Sequence, residues 1–153
     1  MRITVSRNAR ALLASLLVLS LVAACGGNES QPNVAQVRVG APTGPNAAVY
    51  FMARGYDEDD VLVSASTDVA GSVEFHETTT NDDGTMTMQP LPSFSLPAGG
   101  ELILEPGGRH LMLIGVDDLE VGDTIDVTLT WQNAGDMTVE AVVVDPADTM
   151  GDG

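Results

Sequence analysis

The chain contains two histidines, His76 and His110, and methionines follow both, Met86 and Met88 after the first and Met112 after the second. His110 and Met112 are two residues apart, as are Met86 and Met88. Two-residue spacing puts both members of a pair on one face of an extended strand. A cluster of imidazoles and thioethers is a metal-binding set of particular character. Thioether sulfur is soft and uncharged and suits Cu(I), whereas Zn(II) prefers thiolate, imidazole and carboxylate. Neutral donors also keep the charge of the site low, which disfavours Cu(II). A blue-copper electron-transfer centre needs a cysteine thiolate. The one cysteine, Cys25, lies far from the cluster in sequence, so the expectation is a carrier site and not a redox centre. Covalent haem attachment is excluded by the lack of Cys-x-x-Cys-His. Because imidazole binds metal only when neutral, affinity should fall as the pH drops through the histidine range.

The elements that must hold these side chains read as strands. Short runs rich in Val, Leu and Thr recur at 34–39, 47–53, 61–67, 72–78, 85–89, 101–104, 110–115, 124–132 and 137–144, with Gly, Pro, Asn and Asp between them. The clearest is 124–132, where Ile125, Val127, Leu129 and Trp131 alternate with Thr124, Asp126, Thr128 and Thr130. In 72–78, Val73 and Phe75 point one way and His76 points the other, with Glu74. In 110–115, Leu111 and Leu113 share one face, and His110 and Met112 share the opposite one. Asn81-Asp82-Asp83-Gly84 is a strong turn signal. A hairpin closed there brings Met86 and Met88 back beside His76, so that His76, Met88, His110 and Met112 can converge from three strands. No stretch after Cys25 has convincing helical periodicity. The expected fold is an all-β Greek-key sandwich or barrel.

The first quarter of the chain does not belong to that domain. Arg2, Arg7 and Arg10 precede an apolar run from Ala11 to Val22, which has the length of a signal h-region. Val22-Ala23-Ala24-Cys25 resembles a bacterial lipobox, which implies a signal peptide over 1–25 ending at that motif, lipidation of Cys25 and cleavage of the chain before it. Lipidation accounts for a single cysteine in an exported chain and takes its thiol out of metal chemistry. Residues 26–33 read as a flexible tether, 34–144 as the domain, and 145–153 as a disordered acidic tail. The expected location is the outer face of the cell membrane or the periplasm, with a lipid as the only membrane contact.

All 22 acidic residues follow Cys25, with only Arg38, Arg54 and Arg109 to offset them, so the exported part carries a formal charge of −19. Such a field repels phosphates and makes nucleic-acid binding untenable. The run Asp57-Glu58-Asp59-Asp60 lacks the ligand spacing of an EF-hand and reads as a solvated loop. There is no Gly-x-Ser-x-Gly, and nothing marks a nucleophile, so no enzymatic activity is expected.

From His76 to Met112 the chain resembles the PCu(A)C family of periplasmic copper chaperones. The family pattern is His, ten residues, Met, twenty-one residues, His, one residue, Met. Met88, His110 and Met112 match the second half as spaced, and eleven residues separate His76 from Met88. The extra residue fits most easily in the Asn81–Gly84 turn. Met86 fits worse on both sides and reads as neighbouring packing or a supplementary sulfur. Val73-Glu74-Phe75-His76-Glu77, Leu96-Pro97-Ala98-Gly99-Gly100, Glu105-Pro106-Gly107-Gly108-Arg109-His110-Leu111-Met112 and Glu120-Val121-Gly122-Asp123-Thr124 are also close to family segments. The resemblance implies a cupredoxin-like β-sandwich holding one Cu(I) per chain. It also implies delivery to the copper centres of cytochrome c oxidase or to a thioredoxin-like assembly factor. Two departures stand out. The segment Tyr50–Tyr56 is shortened and lacks the family's asparagine, and the tail has Met150 in place of a Met- and His-rich extension. A copper buffer or resistance lipoprotein, and a metal-free β-sandwich that binds another protein, are the competing readings.

Overall fold

The computed structural model describes residues 30–149. The leader, Cys25 and Met150 lie outside the described residues. Ten strands follow in chain order: β1 (Asn33–Thr43), β2 (Asn46–Arg54), β3 (Asp60–Ser66), β4 (Ala70–Thr80), β5 (Met86–Leu91), β6 (Phe94–Leu96), β7 (Glu101–Leu104), β8 (Arg109–Val116), β9 (Thr124–Trp131) and β10 (Gly135–Val144). Nine correspond to the runs read from the sequence. The tenth, β6, is three residues long and lies between Pro92 and Pro97. Phe94 and Leu96 face the core and Ser95 faces out, but three residues are too short a run for alternation to mark a strand, and β6 is held extended by pairing with Asp60–Leu62 of β3.

The hydrogen-bonded path runs β5-β4-β8-β2-β1-β10-β9-β3-β6, with β7 paired to β2. Neighbours such as β4 and β8, or β3 and β9, are far apart in sequence, as Greek-key connections require. The path folds back on itself. Phe75 of β4, next to one end, meets Phe94 of β6, at the other end, edge to face with ring centroids 5.1 Å apart. The architecture is therefore a sandwich, and its two end strands do not close a barrel through hydrogen bonds. One face of each layer fills the core: Val39, Val49, Phe51, Leu62, Phe75, Leu102, Leu104, Leu111, Leu113 and the β9 row Ile125, Val127, Leu129 and Trp131. Burying such side chains gives about 1.5–3 kcal/mol each, and it fixes the face on which every other side chain must stand.

Two features differ from the reading of the sequence. The tail is not wholly without structure: Pro146–Thr149 forms a 3-10 turn. Thr149 is buried, and its hydroxyl donates to the Pro146 carbonyl at 2.6 Å. The acidic run is not simply a solvated loop either. Asp59 accepts the Ala98 N–H at 2.8 Å, and Asp60 is 2% exposed at the start of β3.

The shortened β2–β3 connection is clamped to the β6–β7 turn. Gly55 N–H donates to Gly100 O at 2.8 Å, and Gly99 N–H donates to Tyr56 O at 2.7 Å. A Cβ on Gly55 would lie 2.3 Å from the Pro97 carbonyl oxygen. Backbone has little room to retreat there, so Gly55→Ala is expected to destabilise the domain by about 2 kcal/mol. Urea denaturation checks this, and an unchanged midpoint would contradict it.

Candidate metal centre

Strand register builds this site. β4 and β8 are antiparallel, with His76 directly opposite His110, Glu74 opposite Met112, and Phe75 opposite Leu111. Phe75 and Leu111 enter the core, so the two histidines, Glu74 and Met112 stand on the other face of the sheet. The turn at Asn81–Thr85 closes the β4–β5 hairpin. Asn81 N–H donates to Thr85 O at 2.7 Å, Asp83 accepts from Thr85 N–H at 3.0 Å, and Gly84 has the positive φ (81°) that the turn demands. Beyond it Met88 pairs with Thr78 and Met86 with Thr80, on the face that carries His76.

The register therefore orders the groups. His76 and His110 form the central pair. Met112 lies one step away along the strands on the Glu74 side, and Met88 one step away on the Thr78 side. The sulfurs flank the imidazoles from opposite directions. The histidine rings are T-shaped with centroids 5.7 Å apart. On the far side of His110, the ring of Tyr50 lies 6.3 Å away.

Met86, Met88, His110 and Met112 line one open groove of ≈ 540 Å³, together with Tyr50, Thr78, Gly107 and the small residues Gly40 and Ala48. Pro146 and Thr149 bound it on another side. Gly40 pairs with Ala48, and Ala48 with Met112, so the groove floor beside Met112 is low. A Cβ on Gly40 would come within 3.3 Å of the Thr149 methyl, which ties the seat of the 3-10 turn to that glycine. His76 is not among the residues lining the groove; it stands beside His110 on the neighbouring strand, with its side chain 14% exposed.

His110 is 4% exposed. Burial lowers its pKa below the ordinary histidine value; the Nδ1 contact to the Gly108 carbonyl opposes that shift, and the neighbouring His76 adds to it. Its imidazole is thus neutral near pH 7, with a lone pair to offer a metal. The methionines are the opposite case: Met88 is 50% and Met86 62% exposed, although both belong to a residue type that usually fills cores. Burial does not account for their place on this edge strand. Of the shortened segment, Tyr50 lines the groove, and Gly55 and Tyr56 do not.

The strand face predicted for each of the four candidate residues is the one it occupies. Sequence reasoning did not assign a role to Glu74, although it put Glu74 on the face of His76. The carboxylate Oε2 of Glu74 is 2.9 Å from His76 Nε2. Nor did it find the Tyr50 ring, the Gly40–Ala48 floor or the Thr149 wall, because none of these has a local signal.

Solved structures share this architecture. A solution structure of Cu(I)-DR1885 from Deinococcus radiodurans is 31% identical, with a TM-score of 0.62, covering 79% of this chain and 84% of that one. The apo PCuAC domain from PmoF1 is 27% identical, with a TM-score of 0.61, covering 74% and 92%. The copper-bound PCuAC domain from PmoF2, at 24% identity and a TM-score of 0.62, matches in fold. The sandwich is thus of the cupredoxin-like PCuAC type. The chain belongs to the LpqE-like family of putative lipoproteins, whose model matches residues 32–143. A putative lipoprotein of Leifsonia xyli subsp. xyli, Lxx21020, is 41% identical over 87 residues, or 56% of this chain. The match spans about half of that relative, 52% of its length.

Proposed function

We propose that this protein is an extracytoplasmic Cu(I)-binding metallochaperone, tethered to the membrane through a lipidated Cys25, which holds one copper with His76, Met88, His110 and Met112. The observation that carries this reading is the direct pairing of His76 and His110 between two flanking methionines. A metal–imidazole bond of about 2 Å puts the ion about 3 Å from each ring centre, so two rings sharing one ion stand roughly 5–6.5 Å apart. The observed 5.7 Å lies within that range without rearrangement. The likeness to a Cu(I)-bearing relative and to a copper-bound PCuAC domain supports the same choice of metal.

The work of such a site is exchange and not catalysis. The exposed sulfur of Met88 gives an incoming thiolate a first ligand to displace, while buried His110 keeps its hold. Thioether and imidazole are weaker donors to Cu(I) than thiolate, so copper passes downhill to an acceptor bearing cysteine. A cytochrome c oxidase copper centre, or a thioredoxin-like factor that assembles it, is an acceptor of that chemistry.

Anaerobic Cu(I) titration of residues 26–153 against a chromophoric chelator tests the proposal. The expected result is one Cu(I) per chain, bound about tenfold more weakly by Met88→Ala, or ~1.4 kcal/mol. Transfer of the bound ion to an apo oxidase copper domain, followed by the acceptor's absorption, is the expected sign of delivery. A chain that binds copper but never yields it to that domain would be a buffer.

A further inference from the structure

Glu74 and His76 share one strand face, and the carboxylate Oε2 is 2.9 Å from Nε2 of the ring. An ionised carboxylate only accepts, so this contact requires the proton on Nε2. A neutral imidazole carries one N–H. The lone pair of His76 is therefore on Nδ1, and that atom is buried with no hydrogen-bond partner among the described residues. A buried nitrogen acceptor left unsatisfied is costly. His110 has the reverse arrangement. Its Nδ1 is 3.2 Å from the Gly108 carbonyl, which also only accepts, so its proton sits on Nδ1 and its lone pair on Nε2. Two adjacent rings, 5.7 Å apart, are held as opposite tautomers by two acceptors that lie outside the ligand set.

We infer that Glu74 is a positioning residue: it holds the Nε2–H of His76, and so commits His76 to bind Cu(I) through Nδ1 while His110 binds through Nε2. This rests on the copper reading above. The physical role is that of a carboxylate behind a metal-bound histidine, which fixes the ring's tautomer and orientation and makes its free nitrogen a better donor. It also revises the charge of the site. Four neutral ligands surround the ion, but a formal negative charge stands directly behind one of them and offsets the charge of Cu(I). The orphaned Nδ1 then has a purpose: the ion supplies the partner that the protein does not.

The test uses the soluble domain labelled with 15N at histidine, with long-range 1H–15N correlation to report which ring nitrogen carries the proton. Wild type is expected to show Nε2–H at His76 and Nδ1–H at His110 without metal. Adding Cu(I) should shift Nδ1 of His76 and Nε2 of His110 and leave both protons in place. Glu74→Ala should weaken Cu(I) binding about 10–100-fold at unchanged stoichiometry, with the His76 proton distributed over both nitrogens. Glu74→Gln keeps a carbonyl acceptor and should recover most of the affinity. The Glu74 side chain is 52% exposed, so both variants should melt like wild type. A copper-induced shift at Nε2 of His76, or wild-type affinity in Glu74→Ala, would overturn the inference while the copper site stands. A Glu74→Gln variant as weak as Glu74→Ala would also overturn it, because the charge of the carboxylate and not its hold on the Nε2–H would then carry the effect. Wild type that binds no Cu(I) would overturn the copper reading, and this inference with it.

Discussion

His110→Ala is expected to weaken Cu(I) binding by at least about a hundredfold, or ~2.7 kcal/mol, the largest loss of any single substitution in the site. His110 is the middle member of the cluster: it faces His76 across the strands and shares its face of β8 with Met112. It is also the most enclosed, at 4% exposure. Removing an outer-shell partner of a metal site typically costs 10–100-fold, and removing a central ligand should exceed that. Met88 differs because Met86 stands two residues away on the same exposed strand face and offers a second thioether. A competition titration of His110→Ala beside Met88→Ala reads this gradient directly. The control is Tyr50→Phe, which keeps the ring beside His110 and removes only the hydroxyl, and should leave affinity unchanged. Equal losses in His110→Ala and Met88→Ala would mean that the exposed methionine and the buried imidazole contribute alike, contrary to the enclosure seen here.

How much of this was legible in the sequence follows from the range over which each constraint acts. Alternation is local, and it marked Ile125, Val127, Leu129 and Trp131 as one core row and placed His110 beside Met112. The Asn81–Gly84 turn is local too, and it returned Met86 and Met88 to the face of His76. The pairing of His76 with His110 is different. It depends on the register between β4 and β8, strands separated by three others in sequence, and no spacing within either strand specifies it. Strand faces and the hairpin allowed the two to converge, and the resemblance to a known pattern of His and Met spacings favoured it, but neither specified that they stand directly opposite each other. β6 was missed because Phe94–Leu96 is too short for its alternation to stand out, and the pairing with Asp60–Leu62 that holds it extended is not local. The role of Glu74 needed a distance as well as a face.

The acidic run at Asp57–Asp60 shows the same limit most sharply, because its last residue turns out to be a structural anchor. One oxygen of Asp60 accepts the N–H groups of Val61 at 2.8 Å and Asn133 at 2.9 Å. The other accepts the Ala134 N–H at 3.0 Å and the Tyr56 hydroxyl at 2.9 Å. Burial by itself would raise this carboxyl's pKa, but the four donors, led by the Asn133 N–H, outweigh it and hold the value below that of an ordinary aspartate. The group thus ties the start of β3 to the turn between β9 and β10. A carboxylate with a folded-state pKa below its unfolded one adds stability that is complete above the unfolded value. That stability is lost as the pH falls through the folded one. The window therefore opens below about pH 4. Asp60→Asn replaces one accepting oxygen with an N–H₂ donor that faces two other donors. It is expected to cost about 3 kcal/mol at pH 7. Urea unfolding of both proteins between pH 7 and pH 3 should show the gap narrowing at the acid end, because wild type loses there what the variant never had. A gap that stayed constant down to pH 3 would mean that the Asp60 carboxyl takes up its proton alike in the folded and unfolded chains, so that its four donors do not hold its pKa down. The cost of the variant would then come from lost packing and not from the ionised anchor.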